Sequence, residues 1–291
     1  MYSASARPFI LDGAMGTQLE SRGVATPAPL WSAAALESDP AAVLAVHRDY
    51  VAAGAEILVA NTFRTNPRSL RKAGQISHGA ALNRLALDLA RRAAATADRR
   101  VWVAASVAPV EDCYRPDLAS DSRTLAREHL EFMHLLRDAG ATLVWIETIG
   151  TVREAAAAAG AAREAGVDFA IAFILREDGR LLSGESLEAA VRQVCPHSPL
   201  AIGLNCIPPR AIHDGLVRLA DCCALPRMAY GQLSAGAPLP GWSFAQTASP
   251  SEYAQFAMSW ICTGAAIIGG CCGTTPEHIQ ALAAQARSLH G

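Results

Sequence analysis

Eight short apolar runs recur along the chain, and their spacing limits the folds open to it. They are FIL (9–11), EILVA (56–60), VWVAAS (101–106), TLVWI (142–146), FAIAFI (169–174), LAIGL (200–204), RMAY (227–230) and AAIIG (265–269). Runs this short, apolar on consecutive rather than alternate positions, read as strands buried on both faces. Between them lie stretches with helical spacing and composition, such as DPAAVLAVHRDYVAAGA, ALNRLALDLARRAAA, TLAREHLEFMHLLRDAGA and SPSEYAQFAMSWICTGA. Several of these open on a cap-like residue followed by proline (Asp39-Pro40, Thr275-Pro276), and several close on glycine (Gly54, Gly140, Gly166, Gly264).

Strands separated by helices imply a parallel sheet. Eight strand–helix units in 291 residues fit a (β/α)8 TIM barrel. The competing α/β architecture, a doubly wound open sheet, usually carries a Gly-rich phosphate turn after its first strand, and LDGAMGTQLE lacks the GxGxxG spacing. No Ser/Gly linker or charge block interrupts the chain, so residues 1–291 are expected to form a single domain. The alanine-rich AAAAAGAA (155–162) is bracketed by Arg153, Glu154, Arg163 and Glu164 and reads as a helix of small residues.

Half of the chain is hydrophobic (51%), only 18% is charged, and the formal net charge is −2. A large core is therefore available, and no basic stripe argues for nucleic acid or an anionic membrane surface. The start, MYSASARPFILDG, lacks the layout of a secretory signal, and no run approaches the roughly 18 apolar residues of a membrane span. A cytoplasmic protein keeps its thiols reduced. The eight cysteines are then better read as metal ligands, nucleophiles or core filler than as a disulfide frame.

In a barrel, chemistry is assembled where strands run into the loops that follow them. Those junctions hold Asp12 and Gly13, Asn61 and Thr62, Ser106, Glu147 and Thr148, Asn205 and Cys206, and Cys271 and Cys272. Cys206 ends the sixth run and the vicinal pair ends the eighth, so three thiols can converge above the barrel mouth. Zinc binds thiolates tetrahedrally, and three protein ligands leave a fourth position for water or substrate. Gly269, Gly270 and Gly273 would relax the backbone so that both adjacent sulfurs face one ion. The competing reading, small buried hydrophobes, is taken for Cys113, Cys195, Cys222, Cys223 and Cys262. Cys222-Cys223 is a second vicinal pair, but it sits at a helix end, without glycine flanks and at the opposite end of a barrel.

LDGAMGT, NTF, ETI, GLNC and GGCCGTTPEHI, in this order, resemble the homocysteine S-methyltransferase family from about residue 9 to the C-terminus. The resemblance implies a zinc-dependent barrel that methylates L-homocysteine to L-methionine. It implies Cys206, Cys271 and Cys272 as zinc ligands and Glu147 as the partner of the homocysteine ammonium. Asp12, amides around Gly13, Asn61 and Thr62 would be amino-acid contacts, and Asn205 a neighbour of metal and substrate. A free thiol is mostly protonated at neutral pH, and coordination to zinc deprotonates it. Excess thiolate charge would keep the bound sulfur nucleophilic, and transfer would be a direct displacement.

The family divides by methyl donor. PLWSAAAL (29–36) resembles the stand-alone members that use S-methylmethionine or S-adenosylmethionine, whereas NTF is closer to the methionine synthase branch. A betaine-type onium, or methyl-folate with a cobalamin partner, is the alternative donor, and a non-catalytic zinc- or thiol-binding barrel is the alternative outside enzymology. The loop after the seventh run carries Trp242 and Phe244, whose rings could attract a sulfonium, or could simply pack on the rim. Trp31 leaves the same choice open. His47, His129 and His134 fall in helical segments and receive no catalytic role.

Overall fold

The eight runs are the eight strands of one parallel sheet in the computed structural model, which describes residues 7–233 and 248–288. They are β1 (Phe9–Ile10), β2 (Ile57–Ala60), β3 (Trp102–Val107), β4 (Leu143–Ile149), β5 (Asp168–Phe173), β6 (Ala201–Asn205), β7 (Arg227–Gly231) and β8 (Ala265–Gly270). Consecutive strands pair in order from β2 to β8, and β8 returns to β1. A bridge between Leu11 and Ile57, with Asp12 N–H donating to the Ile57 carbonyl at 3.0 Å, joins β1 to β2 and closes the ring. This is a (β/α)8 barrel. Closure removes the open sheet edges that the doubly wound alternative would keep.

The helices between strands start and stop where local chemistry dictates. Asp39 accepts from Ala42 N–H ahead of Pro40, and this helix, Pro40–Ala53, ends at Gly54 with φ 110°. Ser249 and Glu252 form a reciprocal capping box in front of the helix Pro250–Cys262. Apolar helix faces pack on the outside of the sheet, where Leu19, Tyr50, Leu87, Phe132 and Trp260 are fully or almost fully buried.

The barrel interior is a second, separate core built from Leu11, Ile57, Ala104, Trp145, Ala170, Ala172, Ala201, Met228 and Tyr230. Four of these nine are alanines, and one indole, Trp145, fills the space they leave. Gly203 on β6 has no room for a side chain at all: a Cβ there would overlap the Met228 carbonyl. No helix among the described residues is long and apolar enough to cross a membrane.

Candidate active site

The C-terminal ends of the strands surround a cavity of about 490 Å³. Cys206 follows β6, and Cys271 and Cys272 follow β8, two places apart around the ring. The three sulfurs lie within 4.8 Å of one another, with 3.9 Å from Cys206 to Cys272 and 4.0 Å from Cys271 to Cys272. Backbone hydrogen bonds hold these positions from the β7 side: Cys206 N–H donates to Tyr230 O, Cys271 N–H to Gly231 O, and Leu233 N–H to Cys272 O. Cys206 sits at φ 55°, a left-handed conformation that non-glycine residues seldom adopt. Trp31 and Thr148, which line the same cavity, share this feature at 49° and 63°. Strain of this kind persists where surrounding structure over-determines it, as at ligand sites.

The glycines beside the pair act differently from the expectation. Only Gly273, at φ 82°, uses left-handed backbone. Gly269 and Gly270 lie in β8 and are small for reasons of close approach. A Cβ on Gly269 would press on Leu11, and one on Gly270 would overlap Thr274. Thr274 is needed there because its hydroxyl donates to the Cys271 carbonyl at 2.7 Å.

The donor set fits a thiophilic ion. Tetrahedral zinc with bonds near ~2.3 Å places its ligand sulfurs about 3.8 Å apart, close to the spacings found. Contacts with the Cys206 and Cys272 thiols hold the Cys271 thiol well below its ordinary range. Those same contacts, with burial, push Cys206 up. The Tyr114 hydroxyl stands 3.0 Å from Cys206 Sγ.

Glu147 enters the cavity through an irregularity in β4. Ile146 pairs with Ile171 and Ile149 with Phe173, so β4 carries one residue more than β5 over this span. Glu147 and Thr148 are thus inside the strand rather than after it. Glu147 Oε1 accepts from Ser106 Oγ at 2.5 Å and Oε2 from Tyr230 OH at 3.3 Å. Burial, reinforced by negative charge on Cys271, pushes this carboxyl up to about 8. Asp12 also lines the cavity, accepts from Val59 N–H at 2.9 Å, and is pushed well above the usual carboxylate range by burial and by Glu147. Two acids raised together make a pocket that a cation would complete. Gly13 beside them leaves no room for a Cβ, which would lie 2.8 Å from Tyr50 and Thr274.

Asp12, Gly13, Asn61, Glu147 and the three cysteines all line this one cavity. Asn61 is held by Ser32, which its amide meets through both the hydroxyl and the carbonyl. Thr62 and Asn205 are fully buried and do not line it, but Asn205 Nδ2 lies 4.0 Å from Cys271 Sγ, beside the thiol cluster. The Thr62 hydroxyl donates to Ser106 O at 2.7 Å. Asn205 accepts from Thr148 N–H and donates to Thr148 Oγ1, both at 2.9 Å, so it clamps the β4 irregularity from β6 across β5. Cys113, read from sequence as core filler, is buried but forms part of the cavity wall, and burial pushes its thiol up to about 12. Cys222 is exposed, and Cys223 lies 3.8 Å from Cys195 at the far end of the barrel. Trp242 and Phe244 lie outside the described residues. Trp31 stacks with Phe63 at 5.9 Å, and the Arg64 guanidinium lies 4.0 Å from its ring.

Sequence reasoning missed Tyr114 and Tyr230. Tyr230 ends an apolar strand and looks like core, and Tyr114 sits in a loop with no motif around it.

A model of the homocysteine S-methyltransferase family matches residues 9–286. Among curated proteins, homocysteine S-methyltransferase YbgG of Bacillus subtilis is 30% identical over 97% of this chain and 95% of its own length. A selenocysteine methyltransferase of Astragalus bisulcatus is 27% identical over 96% of this chain and 92% of its own. The metallated form of the homocysteine methyltransferase MmuM from Escherichia coli superposes with a TM-score of 0.84 at 29% identity, covering 96% of both chains.

Proposed function

The chain belongs to the homocysteine S-methyltransferase family, and we propose that it transfers a methyl group to the thiol of L-homocysteine to give L-methionine. The donor in this reading is S-methylmethionine or S-adenosylmethionine, and zinc is held by Cys206, Cys271 and Cys272. The observation that carries it is the meeting of three thiols and two raised carboxyls in one cavity. That arrangement matches the two ends of an amino-acid thiol. The E. coli relative exists in a metallated form, which supports a metal in this fold. Eight free cysteines suit a reducing, cytoplasmic setting.

Glu147 and Asp12 bind the ammonium, and its positive charge returns both carboxyls to their ionised form. Ser106 and Tyr230 hold Glu147 in place while this happens. Zinc held by Cys206, Cys271 and Cys272 would supply a deprotonated, nucleophilic homocysteine sulfur at neutral pH. Anchoring at both ends would point that sulfur toward the remaining cavity, where a sulfonium would face the three thiolates that hold the metal. The methyl carbon then forms its bond to the homocysteine sulfur as the donor C–S bond breaks, and the donor leaves as a neutral thioether.

The test is a donor panel on zinc-loaded protein, with metal analysis of the same preparation. Methionine should form from homocysteine with S-methylmethionine or S-adenosylmethionine. Its absence with both, alongside turnover of betaine or of methylcobalamin, would move the protein to another branch of the family.

A further inference from the structure

Behind Glu147 a buried side chain outside the cavity wall, Trp145, connects to the site through Tyr230. Trp145 lies two residues before Glu147 on β4, is 1% exposed, and fills the barrel interior. Its indole Nε1–H donates to the Tyr230 hydroxyl oxygen at 3.1 Å. The Tyr230 hydroxyl in turn lies 3.3 Å from Glu147 Oε2.

The polarity of this chain follows from the groups in it. An indole N–H only donates, while a phenol has one proton to give and can also accept. With its oxygen accepting from Trp145, Tyr230 directs its single proton at Glu147. Glu147 then receives hydrogen bonds on both oxygens, from Tyr230 and from Ser106, and presents its remaining lone pairs to the cavity. Without the indole, the phenol could instead accept a proton from a neutral Glu147. The carboxyl would then lose the charge that an ammonium needs.

We propose that Trp145 is a positioning residue for the amino-acid substrate: it aims the Tyr230 hydroxyl at Glu147, so that this carboxyl is oriented to accept the substrate ammonium. This rests on the reading of Glu147 given above. Packing is the alternative role, since Ala104, Ala170, Ala172 and Ala201 leave space that only a large side chain fills.

The two roles separate by direct binding to zinc-loaded protein. Calorimetric titration compares homocysteine with 4-mercaptobutyrate, the thiol acid of the same length that lacks the amino group. Trp145→Phe keeps an aromatic ring but removes the donor, and Tyr230→Phe removes one oxygen. Each should weaken homocysteine about tenfold, as loss of a charge-assisted hydrogen bond does. Each should also leave mercaptobutyrate within about twofold. The double variant should match Tyr230→Phe alone, because the influence of Trp145 passes through that hydroxyl. Equal weakening of both ligands, no weakening of either, or additive losses in the double variant would overturn the proposal. If Trp145→Phe does not fold, Tyr230→Phe must still show the selective loss, and its failure to do so overturns the proposal equally. Glu147→Gln is run alongside: if it binds both ligands as the parent does, the ammonium reading of Glu147 has failed. If it discriminates while Trp145→Phe does not, only the relay has failed.

Discussion

Cys206 and Cys222 carry the same thiol, yet one is buried beside two other sulfurs and the other faces solvent at a helix end. What separates them is the company each keeps, and a paired substitution reads this out. Cys206→Ala should abolish zinc retention and methyl transfer, since two sulfurs cannot hold an open three-ligand site. Cys222→Ala should keep both, with a change in stability of no more than about 0.5 kcal/mol, as for surface positions generally. Metal analysis and thermal melting on the two variants check this, and equal metal loss would undo the sorting of the cysteines. At this scale the sequence was informative where a residue type is rare and its chemistry narrow. Three cysteines at GLNC and GGCCG, with the acid of ETI, were legible. Tyr230 was not, because phenol oxygens also occur in packed cores, and only its neighbours Trp145 and Glu147 reveal what the hydroxyl does.

Strands place these side chains, and small errors in strand position propagate to the site. Gly203 pairs with Met228 three residues before Cys206. A methyl group at Gly203 has to push against the β7 backbone rather than a yielding side chain. Gly203→Ala should therefore cost about 3 kcal/mol, the upper part of the overpacking range, and loosen metal binding by shifting the end of β6. Denaturant melts with zinc-affinity titration would show both effects together, whereas loss of stability with intact zinc affinity would mean that the strand end absorbs the shift. The β4 irregularity is a second element-scale device. Asn205 secures it through Thr148 while its amide also lies 4.0 Å from Cys271 Sγ, so one side chain ties the irregularity to the thiol cluster. A bulge depends on how a strand is paired, so ETI could be recognised as a junction while its true place inside β4 could not.

Across the whole molecule, acid sensitivity has an identifiable source away from the site. His47 lies in the helix Pro40–Ala53, is fully buried, and neither ring nitrogen has a hydrogen-bond partner. Burial pushes its imidazole down to about 4 from an ordinary value of 6.5. The unfolded chain therefore binds a proton more readily than the folded one. Stability from this group is complete above pH 6.5 and falls away as the pH drops towards about 4. The whole effect amounts to roughly 3 kcal/mol. In metal-free protein, urea midpoints at pH 7.5 and 5.0 should diverge less for His47→Leu than for the parent, and an unchanged divergence would assign the acid sensitivity to other groups. The sequence by itself determined the barrel, because strands apolar on both faces must be covered by the helices between them. It also determined that three thiols converge, because cysteines at the ends of two such strands meet at one mouth. Only the tertiary structure decided that Thr62 bonds to β3 and Asn205 to β4, that two glycines of GGCCG are small for close approach, and that Tyr114 and Tyr230 face the site. The reason is that local pattern governs which face of a strand is buried, whereas hydrogen-bond partners and close contacts belong to pairs of residues that sequence separates and folding brings together.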